Sequence, residues 1–137
     1  MRRAYLWSGI LFLGLLSACQ AAEVLAADND LPRPPVSAPN PFSPNADGVD
    51  DTTTIIYQLA RAEDINIYIY DINGNVVWRR SIPDGQEGAR VGLNRVIWDG
   101  RASLRGDGVL PNGVYICRIL AGASKKSLGR AKILLLK

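Results

Sequence analysis

The chain has 137 residues, with 16 Lys and Arg against 13 Asp and Glu, two cysteines and no histidine. Without histidine there is no Ser-His or Cys-His nucleophilic pair and no common zinc site, so no enzyme of those classes is expected. The net charge of +3 is small, and it points away from nucleic acid as a partner.

The chain opens with a basic start at Arg2 and Arg3, an apolar run from Leu6 to Leu16, and small residues at Ser17 and Ala18. That order is a secretory signal peptide over residues 1–18, with an apolar run too short for a comfortable membrane span. Removing it takes away two cations and leaves the mature chain close to neutral. Leu16-Ser17-Ala18-Cys19 resembles the lipobox of bacterial lipoproteins. The resemblance implies a lipid on Cys19, contact with a membrane through that lipid, and a place in the cell envelope. Gln20 follows the cysteine, which by the same resemblance implies the outer membrane in a cell that has one. Cys117 then has no partner for a disulfide. It lies in the apolar stretch "VYICRIL" and is expected to pack as a small buried hydrophobe.

Residues 19–39 carry Pro32, Pro34, Pro35 and Pro39 and no apolar period. Proline keeps a chain extended and semi-rigid, so this segment reads as a spacer. The domain proper is expected over residues 40–137. From Thr52 the pattern becomes that of strands. "TTTIIYQLA" is rich in β-branched residues, and "DINIYIYDI" alternates strictly. "INGN" is a turn built on Asn-Gly. "VVWRRSI", "RVGLNRVIWDG", "VYICRIL" and "RAKILLLK" complete the set, separated by turns rich in Gly, Asn, Asp and Pro. No sustained helical period occurs after the leader. Six or seven short strands at this spacing predict an all-β antiparallel sandwich. The inward set is Ile55, Tyr57, Leu59, Ile65, Ile67, Ile69, Val76, Val96, Trp98, Tyr115, Cys117, Ile119, Ile133 and Leu135.

Five segments occur in a telling order: "NPFSPNADGVDDTTTIIYQL", "INIYIYDINGNVV", "RVIWDGR", "PNGVYICRI" and "AKILLLK". Together they resemble the FlgD-type immunoglobulin-like module, and they are similar to the C-terminal sorting domains of type IX secretion cargo. The resemblance covers roughly residues 37 to 137. It implies an immunoglobulin-like sandwich of about seven strands and a non-catalytic structural, adhesive or sorting role. The expected function is a membrane-anchored envelope module that binds a protein or polysaccharide partner. A type IX sorting-like domain is the alternative.

Within that frame, Asn45, Asp47 and Asp51 are candidate calcium ligands, with Gly48 at the bend, since hard cations take several oxygens at close range. The competing reading, which the short stretch favours, is capping of backbone amides by Asn and Asp side chains. Phe42, between Asn40-Pro41 and Ser43-Pro44, is expected to plug one end of the sandwich. Asp99 and Gly100 are expected to close a turn behind a core Trp98. Trp78 is either core or an exposed binding residue. Arg105-Gly106-Asp107 matches an integrin-recognition tripeptide but needs only a loop to explain it. The basic residues from Arg118 to Lys137 suit a solvated edge that discourages edge-to-edge pairing, or contact with an anionic lipid or polysaccharide.

Overall fold

Period-two alternation sets the architecture. In a strand, successive side chains point to opposite faces, and a computed structural model of the chain, which describes residues 31–104, 106 and 108–137, shows that alternation in nearly every strand. Seven strands form in chain order: β1 Val36–Ala38, β2 Thr53–Leu59, β3 Ile65–Tyr70, β4 Val76–Ile82, β5 Gly92–Trp98, β6 Gly113–Ala121 and β7 Ser127–Leu135. One sheet has the order β1-β2-β5 and the other β4-β3-β6-β7, with every strand pair antiparallel. A single apolar cluster draws on both sheets. The chain is therefore an antiparallel β-sandwich of the expected immunoglobulin-like kind. The expected signal peptide over residues 1–18, Cys19, Arg105 and Asp107 lie outside the described residues.

The inward residues of β2 (Ile55, Tyr57, Leu59), β3 (Ile65, Ile67, Ile69) and β6 (Tyr115, Cys117, Ile119) are all buried, as the alternation predicts. Full burial of such side chains stabilises by roughly 1.5–3 kcal/mol each. Val76 departs from expectation. A register shift between Ile69 and Tyr70 sets Val76 opposite Tyr70, on the outer face. The bulge turns Val77 and Trp78 towards the core instead. Trp78 is thus a half-buried packing residue rather than an exposed one. The turn from β3 to β4 is also not the two-residue hairpin that Asn-Gly alone suggests. Only Gly74 in it has a positive φ, whereas the tight turn needs two such residues. Asp71 holds this longer loop by accepting the amides of Asn73 and Asn75, both at 2.9 Å. Those bonds, with the Asn75 side chain first among them, hold the Asp71 carboxyl below its ordinary pKa.

The larger departure is at the N-terminal side. Residues 31–39, expected as spacer, belong to the fold. β1 pairs with β2, with Val36 opposite Ile56 and Ala38 opposite Thr54. Leu31 is buried, and its amide donates to the Leu128 carbonyl at 3.3 Å. Asn40 then ties the entry to β7. Its Nδ2 donates to the Lys132 carbonyl at 2.8 Å and its Oδ1 accepts the Leu134 amide at 2.8 Å. Prolines tolerate this path because β1 is a short edge strand, where missing amides cost least.

Two glycines separate strain from crowding. At Gly100 (φ 76°) an added Cβ would sit 2.9 Å from Pro44, 3.1 Å from Leu135 and 3.2 Å from Phe42. At Gly48 (φ 87°) it would meet nothing within 4 Å. Gly100→Ala should therefore destabilise by about 3 kcal/mol, from backbone strain plus overpacking. Gly48→Ala should cost only about 1 kcal/mol, from backbone strain alone. In thermal melts the first variant should fall by roughly 12 °C or more. Equal losses in the two variants would contradict this packing.

Candidate functional site

The motifs singled out in the sequence converge on one end of the sandwich. Phe42 lies 5.5 Å from Trp98 between ring centroids, and Trp98 lies 5.7 Å from Tyr115 in an edge-on contact. All three are buried. The polar ends of the rings are satisfied, as burial requires. Trp98 Nε1 donates to the Arg101 carbonyl at 3.1 Å, and the Tyr115 hydroxyl donates to the Pro111 carbonyl at 2.7 Å. Burial raises the Tyr115 pKa, with Asp71 adding to the rise. The backbone of Phe42 is stitched to the last strand. Its amide donates to the Leu134 carbonyl, and its carbonyl accepts the Leu136 amide, both at 3.0 Å. Phe42 is thus the expected plug, and Trp98 is core.

The Asn45–Asp51 loop sits beside this cap, and its oxygens point inward on the loop itself. Asp51 accepts the amides of Ala46 at 2.8 Å and Gly48 at 2.7 Å, one on each oxygen. Asn45 Oδ1 accepts the Asp47 amide at 3.1 Å, and Asp47 Oδ1 accepts the Val49 amide at 2.8 Å. Ala46 and Asp50 take left-handed φ values of 64° and 53° to make these bonds. The three candidate calcium ligands are brought together, but as caps of a turn. No group of three or more His, Cys, Asp or Glu among the described residues is placed to hold a metal ion.

The neighbouring Trp98-Asp99-Gly100-Arg101 turn follows the same logic. Asp99 accepts the Arg101 amide at 3.1 Å and lies 3.7 Å from its guanidinium. The following loop lies along β4. The Ser103 amide donates to the Val77 carbonyl, and the Arg79 amide donates to Ser103 Oγ, both at 3.0 Å. Of the tripeptide Arg105-Gly106-Asp107, only the exposed Gly106 is described.

Two buried polar groups were not legible as such. Tyr57 donates its hydroxyl to the Gly88 carbonyl at 2.5 Å deep in the core, and burial drives its pKa up. Asn94 is buried and braces the turn before β5, donating to the carbonyls of Arg90 at 2.8 Å and Gly92 at 3.0 Å. Both stand at inward positions of alternating strands, where periodicity gives burial but not the partner. Cys117 is fully buried, and burial pushes its thiol up to about 12. Two surface hollows among the described residues are small. One of about 220 Å³ is lined by Leu31, Leu59 and Leu128, and one of about 240 Å³ by Asp64, Asn66 and Ser81. Small-molecule sites usually occupy roughly 300–1,000 Å³.

These contacts carry two expectations. Calcium in excess should leave the melting temperature unchanged, because Asn45 Oδ1, Asp47 Oδ1 and both Asp51 oxygens already accept backbone amides. Asp51→Ala, which strands two amides, should cost about 1–2 kcal/mol, and Asp47→Asn should be mild. A calcium-dependent rise in melting temperature that Asp51→Ala abolishes would assign the loop to metal. For Cys117, a Cys19→Ser variant should resist a maleimide at mildly alkaline pH while folded and react fully once unfolded, since only the thiolate is the nucleophile. Rapid labelling of the folded protein would show that the thiol is reachable.

Comparison with known proteins adds to this geometry. The FlgD structure from P. aeruginosa is similar over 61% of this chain and 60% of its own, with a TM-score of 0.48 and 24% identity. The Pseudomonas fluorescens alkylpurine DNA glycosylase AlkC, solved with DNA containing an abasic site analog, aligns with 85% of this chain and 34% of its own, with a TM-score of 0.47 and 11% identity. Neither likeness is close enough to bear on function. No curated protein matches the sequence. The family comparison is more telling, because its match runs from β1 almost to the end of β7 and takes in every strand pair. Over residues 36–133 the chain belongs to the CHU_C type IX secretion signal domain family.

Proposed function

We propose that the sandwich is the part of this protein that a type IX secretion apparatus recognises, and that the protein serves without catalysis at the cell envelope. The observation that carries the reading is the family match over residues 36–133, which spans nearly the whole sandwich. The fold suits the role. Its core needs no disulfide, and its one described thiol is buried, so folding does not wait on an oxidant.

The lipobox-like Leu16-Ser17-Ala18-Cys19 favours a second, compatible element. Cys19 carries lipid, and the protein is held to a membrane, the outer one in a cell that has two. Several acyl chains hold a protein far better than one. The Asn45–Asp51 loop serves as a rigid lip of the capped end, with calcium as the competing reading.

The test is localisation in a bacterium with a type IX apparatus and in a strain that lacks it. A periplasmic reporter fused to residues 31–137 should reach the surface in the first and stay periplasmic in the second. Export of the fusion in both strains would refute the recognition role. A fatty-acid analogue should label the full chain and not Cys19→Ala. Labelling of that variant would refute the anchor.

A further inference from the structure

The outer face of the four-stranded sheet holds a feature that neither the cap nor the family match explains. Strand register places Arg79 opposite Tyr68, Tyr68 opposite Arg118, and Arg118 opposite Arg130. These four residues form one row across β4, β3, β6 and β7. In the next row Tyr70 faces Ile116, which faces Lys132. The four cations are exposed and the two tyrosines half-exposed, with the tyrosine rings 6.3 Å apart between centroids. None of these four strands contains an Asp or Glu. The ion pairs between described residues, Arg61 with Glu63 and Arg101 with Asp99, leave the face untouched.

That arrangement disfavours the fold. Like charges set directly opposite on neighbouring strands repel, and Arg118 and Arg130 stand so with no carboxylate between them. A local choice that works against the structure, in a sequence otherwise consistent with it, marks a surface kept for another purpose. The chemistry of the partner follows from the row. Neighbouring strands are about 4.8 Å apart, so Arg79 and Arg118 stand about 10 Å apart with Tyr68 between them. Two guanidiniums that each grip a carboxylate, on either side of an aromatic ring, match a chain of sugar acids with one ring over the tyrosine and the carboxylates of its neighbours on the arginines. Guanidinium binds carboxylate in a bidentate fork, and the ring offers a stacking platform between. An extended peptide would instead seek a sheet edge, where backbone groups are free to pair, and this is a sheet face.

We infer that the outer face of β4-β3-β6-β7 binds an acidic polysaccharide, with Arg79, Arg118 and Arg130 holding its carboxylates and Tyr68 stacking on a sugar ring between them. Lys132 adds charge at the margin. The inference does not rest on the proposed secretion role and holds whichever route exports the chain.

The test measures binding of the purified protein to polygalacturonate, with neutral dextran, poly-glutamate and phosphatidylglycerol vesicles as comparisons. Saturable binding to polygalacturonate that weakens as salt rises is expected, with none to dextran. Arg79→Gln, Arg118→Gln and Arg130→Gln should each weaken it by roughly tenfold, the scale of a lost charge-assisted hydrogen bond. Tyr68→Ala should weaken it even at salt that screens the charges. Arg95→Gln, on the outer face of the other sheet, should change nothing. Arg118→Gln should melt no lower than the parent, because it relieves the repulsion with Arg130. Failure to bind polygalacturonate would overturn the inference, as would equal loss in Arg95→Gln. Tighter binding to poly-glutamate or to the vesicles would overturn it in favour of an acidic protein or a lipid surface.

Discussion

The sandwich depends on the contact between Phe42, Trp98 and Tyr115. Phe42 comes from the loop before β2, Trp98 from the last position of β5, and Tyr115 from β6. One residue of the trio therefore comes from each sheet, and a third from the chain that enters between them. Large aromatic pairs add roughly 0.5–1.5 kcal/mol beyond the area they bury, and here two such pairs share one indole. The close approach of Gly100 to Phe42, Pro44 and Leu135 is a consequence. The turn after Trp98 must fold tightly against the plug, and only a residue without a side chain fits there in that backbone conformation. The Asn45–Asp51 segment is held on both sides by the same packing. It starts from a residue fixed in the core and ends at Thr53, whose buried hydroxyl donates to the Pro39 carbonyl at 2.8 Å.

The opposite long side of the sandwich is closed by the chain before β2. Gly129 makes this possible. A Cβ there would lie 2.8 Å from Leu31 and 2.9 Å from Pro35, so the missing side chain lets the N-terminal segment lie flat on β7. β1 extends the first sheet, and Asn40 reaches the second. Two sheets that would otherwise end in free edges at this side are joined by one segment, and joining edges removes sites for unwanted pairing.

Much of this was legible because alternation reports burial directly. The strict patterns of β2, β3 and β6 gave both the strands and the inward residues. Three things were hidden, each for a physical reason. β1 has three residues between prolines, too few for any period to show, and its place comes from backbone bonds to β2 and side-chain bonds to β7. The bulge that turns Val77 inward and Val76 outward depends on the register with β3, which lies in the partner strand and not in "VVWRRSI". The arginine row was hidden because Arg79, Arg118 and Arg130 are far apart in sequence and meet only through pairing. At the capped end, "NPFSP" and "WDG" announced turns and a plug. The amides that Asn45, Asp47 and Asp51 accept depend on where each oxygen points, which composition does not carry.

The ends of the described chain constrain how the surfaces are presented. Leu31 lies against Leu128, near the start of β7, and Leu136 pairs with Phe42 just past its end. Leu128 and Leu136 are eight residues apart, so these points are separated by roughly 26 Å along the strand. The described chain begins at Leu31, at the end of the sandwich away from the aromatic cap. The arginine face runs alongside that axis, on a side of the sandwich that neither end covers. Cys117 sits where burial keeps the thiol protonated and inert.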